Sequence, residues 1–236
     1  MMLLFKNRGN QDQEIAKPWR SITWNDEEKQ SHLSFLNQFQ PGNSEVHSLK
    51  FLLTGPVGAG KSSFFNSVNN VLQDRITTRA MADSISGSSF SIECKEFKLK
   101  KKDGGSDYPF SFTDIKGLEN YNGEGVLIKD VVHILEGHVK SGYKVRIPQV
   151  IIMTKVDQIC PLVKNNIEKI YTSKKIKEKM EECSCTLGVP LTCIFPVKNY
   201  FEEDITNTNM DILILKALKQ IVHFANDYVV DKKDND

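Results

Sequence analysis

The chain has 236 residues, of which 26% are charged and 39% are hydrophobic, a composition typical of a globular protein with one α/β domain and a short extension. Lys and Arg total 31 against 30 Asp and Glu. The formal net charge of +1 argues against a nucleic-acid partner, because such proteins usually carry a strongly basic patch or balance.

The N-terminus and the cysteines bear on the cellular compartment. The apolar start Met1–Phe5 stops at Lys6, before the roughly 7–15 apolar residues of a secretory signal. No run approaches the ~20 apolar residues of a membrane span. The five cysteines show no disulfide or zinc spacing and are typical of reduced thiols. We therefore expect a cytoplasmic protein with no transmembrane segment.

Residues 1–44 are predicted to form an N-terminal extension with one helix. Residues 1–23 are polar and without periodicity, which favours a loose segment. Asn25 followed by three acidic residues is typical of a helix start, and Pro41-Gly42 marks its end. Apolar residues at helical spacing predict that this helix packs on the main domain; they are Leu33, Leu36 and Phe39.

A glycine-rich loop joins a predicted strand, Leu49–Thr54, to a predicted helix. The loop matches G-x-x-x-x-G-K-[ST] in full: Gly55-Pro56-Val57-Gly58-Ala59-Gly60-Lys61-Ser62. Its glycines let backbone amides cradle phosphates, and the helix N-terminus adds partial positive charge. Lys61 is predicted to reach the β- and γ-phosphates and Ser62 to bind Mg²⁺, with Ser63 beside them in the phosphate-binding set. The pattern predicts a P-loop that binds a nucleoside triphosphate.

The remaining predicted elements alternate between strands and helices. A strand pair, Phe90–Leu99 and Tyr108–Thr113, follows a long loop at Asp74–Ser89, and its lysine-rich turn is either an anionic-surface contact or, as we favour, a solvated tip. Helical and strand patterns then continue at Gly125–Val139, Val150–Met153, residues 162–185, Thr192–Pro196 and Met210–Tyr228. This order predicts an α/β fold of the P-loop NTPase, G-domain-like type, with a mainly parallel sheet and helices on both faces, over residues 45–229. Residues 230–236 are predicted to be a charged, frayed tail.

Two downstream motifs favour GTP over ATP. Asp114-Ile115-Lys116-Gly117 fits D-x-x-G, in which the Asp holds Mg²⁺ through water and the Gly117 amide senses the γ-phosphate. Thr154-Lys155-Val156-Asp157 fits [NT]-K-x-D. Asp157 would accept hydrogen bonds from guanine N1–H and its 2-amino group, a donor pair that adenine lacks, while Lys155 lies along the base. Val197-Lys198-Asn199, after the next strand, is a candidate for the last base-facing loop, with Lys198 as its nucleotide-binding residue; an ordinary turn is an equal alternative.

The catalytic residue stays unassigned. A glutamine that orients the attacking water follows D-x-x-G in Ras-like enzymes, but Leu118 stands there and cannot orient water. We therefore expect at most a slow GTPase. The switch threonine is open among four residues: Thr77, Thr78, Ser86 and Ser88.

Several of these segments together resemble the interferon-induced protein 44 and 44-like family, over roughly residues 15–230. They are Pro18-Trp19-Arg20, the P-loop with its continuation Phe64-Phe65-Asn66-Ser67-Val68, Thr154-Lys155-Val156-Asp157, and Met210–Leu218. The resemblance implies a cytoplasmic, interferon-induced G-domain protein of the antiviral and innate immune response. It also implies protein partners or self-association, with GTP or GDP and Mg²⁺ as ligands.

The sequence departs from that family in one place. Only 36 residues, 118–153, separate D-x-x-G from Thr154, where a G domain needs about 52 for two helices, two strands and their loops. One strand–helix unit is therefore predicted to be missing. Either Val150–Met153 shifts into the gap, which displaces Asp157 by ~4.8 Å, or the sheet keeps a hole. A degenerate G domain that acts as an interaction module, and an ATP-using P-loop enzyme, remain the alternatives.

Overall fold

The structure is a computed structural model that describes residues 13–56, 58–77, 93–102, 104–116 and 148–233. Its strands are β1 Leu49–Leu53, β2 Glu93–Lys100, β3 Asp107–Lys116, β4 Ile151–Met153 and β5 Ile194–Pro196. Its helices are α1 Asp26–Gln38, α2 Lys61–Gln73, α3 Val156–Ile159, α4 Pro161–Asn165, α5 Lys174–Leu187 and α6 Thr208–Lys233, with 3₁₀ helices at Ile167–Tyr171 and Leu191–Cys193. The helix predicted at Gly125–Val139 and most of the loop predicted at Asp74–Ser89 lie outside the described residues.

The strands form two small sheets, and the molecule is mixed α/β. β3 pairs in parallel with β1 and antiparallel with β2, as the hairpin pattern predicted, with Phe51 opposite Phe112. β4 pairs in parallel with β5. Within the described ranges no strand joins β1 to β4, so the strands of this part of the chain do not form one continuous sheet. The two sheets are separated between β1 and β4, and the short segment 118–153 led us to predict a missing strand beside β1.

Two apolar clusters meet on β4, β5 and α6. Side chains alternate in direction along a strand, so Ile152 and Phe195 join the cluster around α2 and β1. Their neighbours Ile151 and Ile194 join a second cluster with α3, α4 and α5. α6 also serves both clusters, because Leu213 packs in the second whereas most of its other buried residues pack in the first. This helix therefore joins the two sheets through side-chain packing.

The N-terminal helix is part of the packed domain. Asn25 caps α1 by accepting a hydrogen bond from the Glu28 amide at 2.9 Å, as predicted. Leu36 is fully buried in the first cluster, and α1 packs along α6. The Asn226 side chain accepts a hydrogen bond from the Gly42 amide at 2.7 Å. α6 itself continues to Lys233, so it includes the first residues of the segment 230–236 that we predicted to be a frayed tail.

The prediction that residues 1–23 are loose is wrong for the described part of that segment. The Trp19 amide donates to the Tyr171 carbonyl at 3.0 Å, and the two rings meet edge to face with centroids 5.0 Å apart. The Arg20 guanidinium donates to the Ile194 carbonyl at 2.8 Å and lies over the Trp19 ring. Isolated aromatic and arginine contacts of this kind leave no periodic signal in a sequence.

The single long helix predicted at residues 162–185 is broken. Asn166 and Ser173 both adopt extended backbone angles and cap the next helical segment with their side chains.

The lysine-rich turn between β2 and β3 contacts other parts of the protein, whereas we predicted a solvated tip. Lys101 donates to the Asn37 carbonyl at 2.8 Å, and Lys102 forms an ion pair with Asp74 at 3.0 Å.

Candidate functional site

The predicted site residues follow the carboxyl ends of strands in both sheets. The glycine-rich loop follows β1, Thr154 follows β4, and Lys198 follows β5. The backbone of Asp114, within β3, lies opposite Leu53 at the end of β1. Ligands of open α/β folds bind beyond the carboxyl ends of their strands, so this edge is the candidate site. Gly117 and Leu118 lie outside the described residues.

Gly60 begins α2 in a conformation that favours glycine. Its φ is +90°, in the left-handed region, and a Cβ placed there would lie 3.3 Å from Thr154 Oγ1 and 3.2 Å from Asn199 Nδ2. Gly58 also has a positive φ, of +75°, but a Cβ there would meet open space. The two glycines therefore differ, since Gly60 is restricted by close neighbours as well as by backbone angle. Val57, between Pro56 and Gly58, is outside the described residues.

Lys61 folds back over its own loop. Its Nζ donates to the carbonyl oxygens of Gly55 and Pro56 at 2.7 and 3.3 Å. The ammonium therefore lies at the mouth of the loop, where an incoming anion would compete with these carbonyls. Glycine at the N-cap provides no side-chain cap for α2, and the N-terminus of a helix attracts anions.

The two serines after Lys61 differ in exposure. Ser62 is exposed in the first turn of α2, where a hydroxyl can reach a metal ion beside the loop. Ser63 is half-buried, and its carbonyl accepts a hydrogen bond from Ser67 Oγ at 2.7 Å. Ala59, within the loop, is almost fully buried. Ser62 therefore fits the metal-binding role better than Ser63 does.

The T-K-x-D residues differ in burial and in their contacts. Thr154 is buried, and its Oγ1 donates to the Ala59 carbonyl at 2.7 Å, so this hydroxyl fastens the end of β4 to the glycine-rich loop. Lys155 adopts a left-handed φ of 59° at the start of α3. Asp157 lies half-buried in α3. The backbone turn at Lys155 thus places the predicted base-reading carboxylate just beyond the strand.

Lys198 is held by an acidic neighbour. Its Nζ lies 2.7 Å from Glu203 Oε1, and Glu203 Oε2 accepts hydrogen bonds from the amides of Phe201 and Glu202. Burial raises the pKa of Glu203, but the Lys198 and backbone hydrogen bonds outweigh it and lower that pKa to about 2. The carboxylate is therefore charged at neutral pH and fixes the loop that follows β5.

Asn199 lies in the candidate loop after β5 but was not selected from it as a site residue. Its Nδ2 donates to the Gly60 carbonyl at 3.3 Å, so it contacts the glycine-rich loop directly. The sequence analysis placed a candidate loop here but selected Lys198 from it.

Among the candidate switch residues, the Thr77 hydroxyl donates to Asn70 Oδ1 at 2.8 Å and is held against α2. Thr78, Ser86 and Ser88 lie outside the described residues.

The chain is similar to curated relatives from two mammals. It is 26% identical over 259 aligned positions to human interferon-induced protein 44, which covers 86% of this chain and 58% of the relative. It is 28% identical over 256 positions to the Mus musculus protein of that name and 26% identical over 255 to human interferon-induced protein 44-like. These similarities support membership of the interferon-induced protein 44 family. No family model matches it.

The lengths in this comparison are informative. The chain spans a little under three fifths of the human relative. The 259 aligned positions exceed the 236 residues of the chain, of which 86% is about 203, so about a fifth of those positions are gaps in this chain. The human relative thus carries internal residues that this chain lacks. No helix in the described ranges has the length and apolar character to cross a membrane.

Proposed function

We propose that this member of the interferon-induced protein 44 family is a cytoplasmic GTP-binding protein with a P-loop, G-domain-like fold. It would act as a nucleotide-dependent switch or scaffold in innate immune and antiviral defence, with slow or no GTP hydrolysis. The observation that carries the proposal is the glycine-rich loop itself. Gly60 adopts a left-handed conformation between Thr154 and Asn199, and Lys61 lies over the mouth of the loop.

The phosphate end of the site fits GTP or GDP with Mg²⁺. Backbone amides of Gly58–Ser63 would bind the phosphates, and Lys61 would exchange its two carbonyl partners for phosphate oxygens. An exposed serine hydroxyl and a carboxylate are hard oxygen donors of the kind that Mg²⁺ prefers, so Ser62 and Asp114 fit the ion. Mg²⁺ would neutralise phosphate charge there.

The base end supports guanine over adenine. The half-buried Asp157 would accept from the two donors on the guanine edge, with Lys155 and Lys198 beside the base. Thr154 and Asn199 would position this half, because each donates to a carbonyl of the glycine-rich loop. Hydrolysis is proposed to be slow because Leu118 cannot orient water.

Equilibrium binding of fluorescent GDP and GTP, with ATP as competitor, tests the proposal. We expect guanine-specific binding that weakens at least about 100-fold in Lys61→Ala, because a charge-assisted phosphate contact is lost. Lys164→Ala removes an equally charged, exposed lysine from α4 and should bind as wild type. No binding by a wild-type protein that melts cooperatively would reject the proposal, and equal affinity for ATP would favour an ATP-using enzyme.

A second candidate function is a degenerate G domain that serves as a protein-interaction module. Phe201 and Ile205 favour it, since these large apolar side chains are 86% and 73% exposed on the loop between β5 and α6. Phe201→Ser with Ile205→Ser should abolish self-association or partner binding in sedimentation experiments without a change in melting temperature. Unchanged association in the double variant would reject this surface.

A further inference from the structure

A buried ion pair joins the N-terminal helix to the C-terminal helix. Lys29 Nζ of α1 lies 2.8 Å from Asp211 Oδ2 of α6, and the Asp211 side chain is fully buried. The Tyr200 phenol donates to the other oxygen of Asp211 at 2.6 Å. Burying a carboxylate is costly unless it is paired and hydrogen-bonded, so these contacts hold the three side chains in one arrangement. We refer to them as the Lys29–Asp211–Tyr200 network.

The charge states suit this arrangement. Burial lowers the pKa of Lys29, but Asp211 and then Asp74 outweigh it, so the pKa is raised and the ammonium stays charged. Burial raises the pKa of Tyr200, which keeps the phenol protonated as a donor. The network therefore persists at neutral pH.

The network holds α2 at two places. Lys29 Nζ also lies 3.2 Å from Asp74 Oδ1, and Asp74 caps the C-terminal end of α2 with a left-handed φ of 52°. Near the middle of the helix, Ser67 Oγ accepts a hydrogen bond from the Tyr200 amide at 2.9 Å. α2 is the helix whose N-terminus forms the floor of the glycine-rich loop, so both contacts restrain that loop.

The network also extends to the loop through the neighbour of Tyr200. Asn199 precedes it and donates to the Gly60 carbonyl at the start of α2. With the Tyr200 side chain fixed by Asp211 and its amide fixed by Ser67, Asn199 has little freedom to leave Gly60. The path from Lys29 to Gly60 is thus continuous through hydrogen bonds and one peptide unit.

We infer that Lys29 and Asp211 are positioning residues for the phosphate-binding loop, which makes helix α1 a structural part of the nucleotide site. This inference rests on the proposed function. Methionine at position 29 would keep the apolar stem but leave Asp211 as a buried, uncompensated charge. We expect α6 and Tyr200 to shift toward water in response, which withdraws Asn199 from Gly60 and loosens the loop.

The dissociation rate of fluorescent GDP from the full chain tests this. Lys29→Met should release GDP about tenfold faster, a coupling of ordinary size between distant groups. Lys29→Arg, which keeps the charge, should recover most of the wild-type rate. Leu36→Val weakens the buried face of the same helix without touching the network, and should leave the rate within about twofold at temperatures well below its melting point.

A double-mutant cycle with Asn199→Ala separates positioning from general destabilisation. If Lys29 acts through Asn199, then the variant with both changes should release GDP no faster than the faster single variant. Additive effects of the two changes, or a wild-type rate in Lys29→Met, would overturn the inference.

Hydrogen exchange keeps this inference separate from the proposed function. Should the wild-type protein bind no guanine nucleotide, the proposed function fails, yet the positioning can still be measured. Amides of residues 59–66 and 198–203 should then exchange about tenfold faster in Lys29→Met than in Leu36→Val. Faster exchange confined to residues 26–38 would show that Lys29 supports only its own helix.

Discussion

The half of the molecule that carries the glycine-rich loop and the half that carries Thr154–Asp157 are organised differently. In the first, β1, β3 and α2 surround the loop, and glycine conformation sets its local shape. In the second, the strands β4 and β5 have three residues each and pair with each other. Under the proposed function, phosphate binding would depend on local backbone geometry, whereas base reading would depend on how one half lies against the other.

The contacts between the halves reach the loop itself. Thr154 Oγ1 donates to the Ala59 carbonyl and Asn199 Nδ2 to the Gly60 carbonyl, while apolar side chains of β4, β5 and α6 pack beneath. A missing strand would therefore affect the base-reading residues more than the phosphate-binding ones. Substitutions in each half can test this difference.

Asp157→Asn should have the largest effect on base reading. The amide offers one acceptor and one donor where guanine presents two donors, so we expect about 100-fold weaker GDP binding. Xanthine carries an oxygen in place of the 2-amino group and should be preferred by the variant. Competition between GDP and xanthosine diphosphate measures the change.

Asp204→Asn is the charge-matched control, since Asp204 is exposed on the loop after β5. If Asp157→Asn binds GDP as the wild type does, then the base-reading half is out of place and only the phosphates are bound. ATP should then compete as well as GTP.

Thr154→Val should have the next largest effect, a loss of stability, because it removes a hydrogen bond between the two halves. Valine has nearly the same shape but leaves the Ala59 carbonyl without its 2.7 Å donor, at a cost of about 2 kcal/mol in the free energy of unfolding. Thr154→Ser keeps the hydroxyl and should lose less than half as much. Urea unfolding of both variants gives the comparison, and equal losses would mean that the hydrogen bond contributes little.

The sequence predicted the structure correctly where that structure depends on neighbouring residues. The cap of α1 at Asn25 and the start of α2 directly after the glycine-rich loop follow from residue type and spacing. The break at Asn166 was missed because a charged, periodic stretch looks helical until tertiary packing selects its caps. Asn199 was missed because its role arises from a contact with Gly60, 139 residues away. The strand pairing that divides the sheet is likewise a long-range property.

Glu203→Gln, in the loop after β5, should have the smallest effect on stability, and that effect should depend on pH. Glu203 has a pKa of about 2, lowered from 4.5, so its stabilising contribution is complete above about pH 4.5 and is lost as the pH falls toward 2. Because the group is partly exposed, solvent screening reduces that contribution to about 1 kcal/mol. Urea unfolding of wild type and Glu203→Gln should therefore differ at pH 7 and converge by pH 3 to 2.

This convergence would sharpen the comparison between the halves. Titrations elsewhere cancel in the difference between the two proteins, so the window reports on Glu203 and its Lys198 and Phe201 partners. Glu202→Gln, an exposed neighbour, should show a difference near zero at every pH. A Glu203→Gln difference that stays constant down to pH 2 would mean that the carboxylate charge does not hold this loop, and that Asn199 relies on Tyr200 alone for its position beside Gly60.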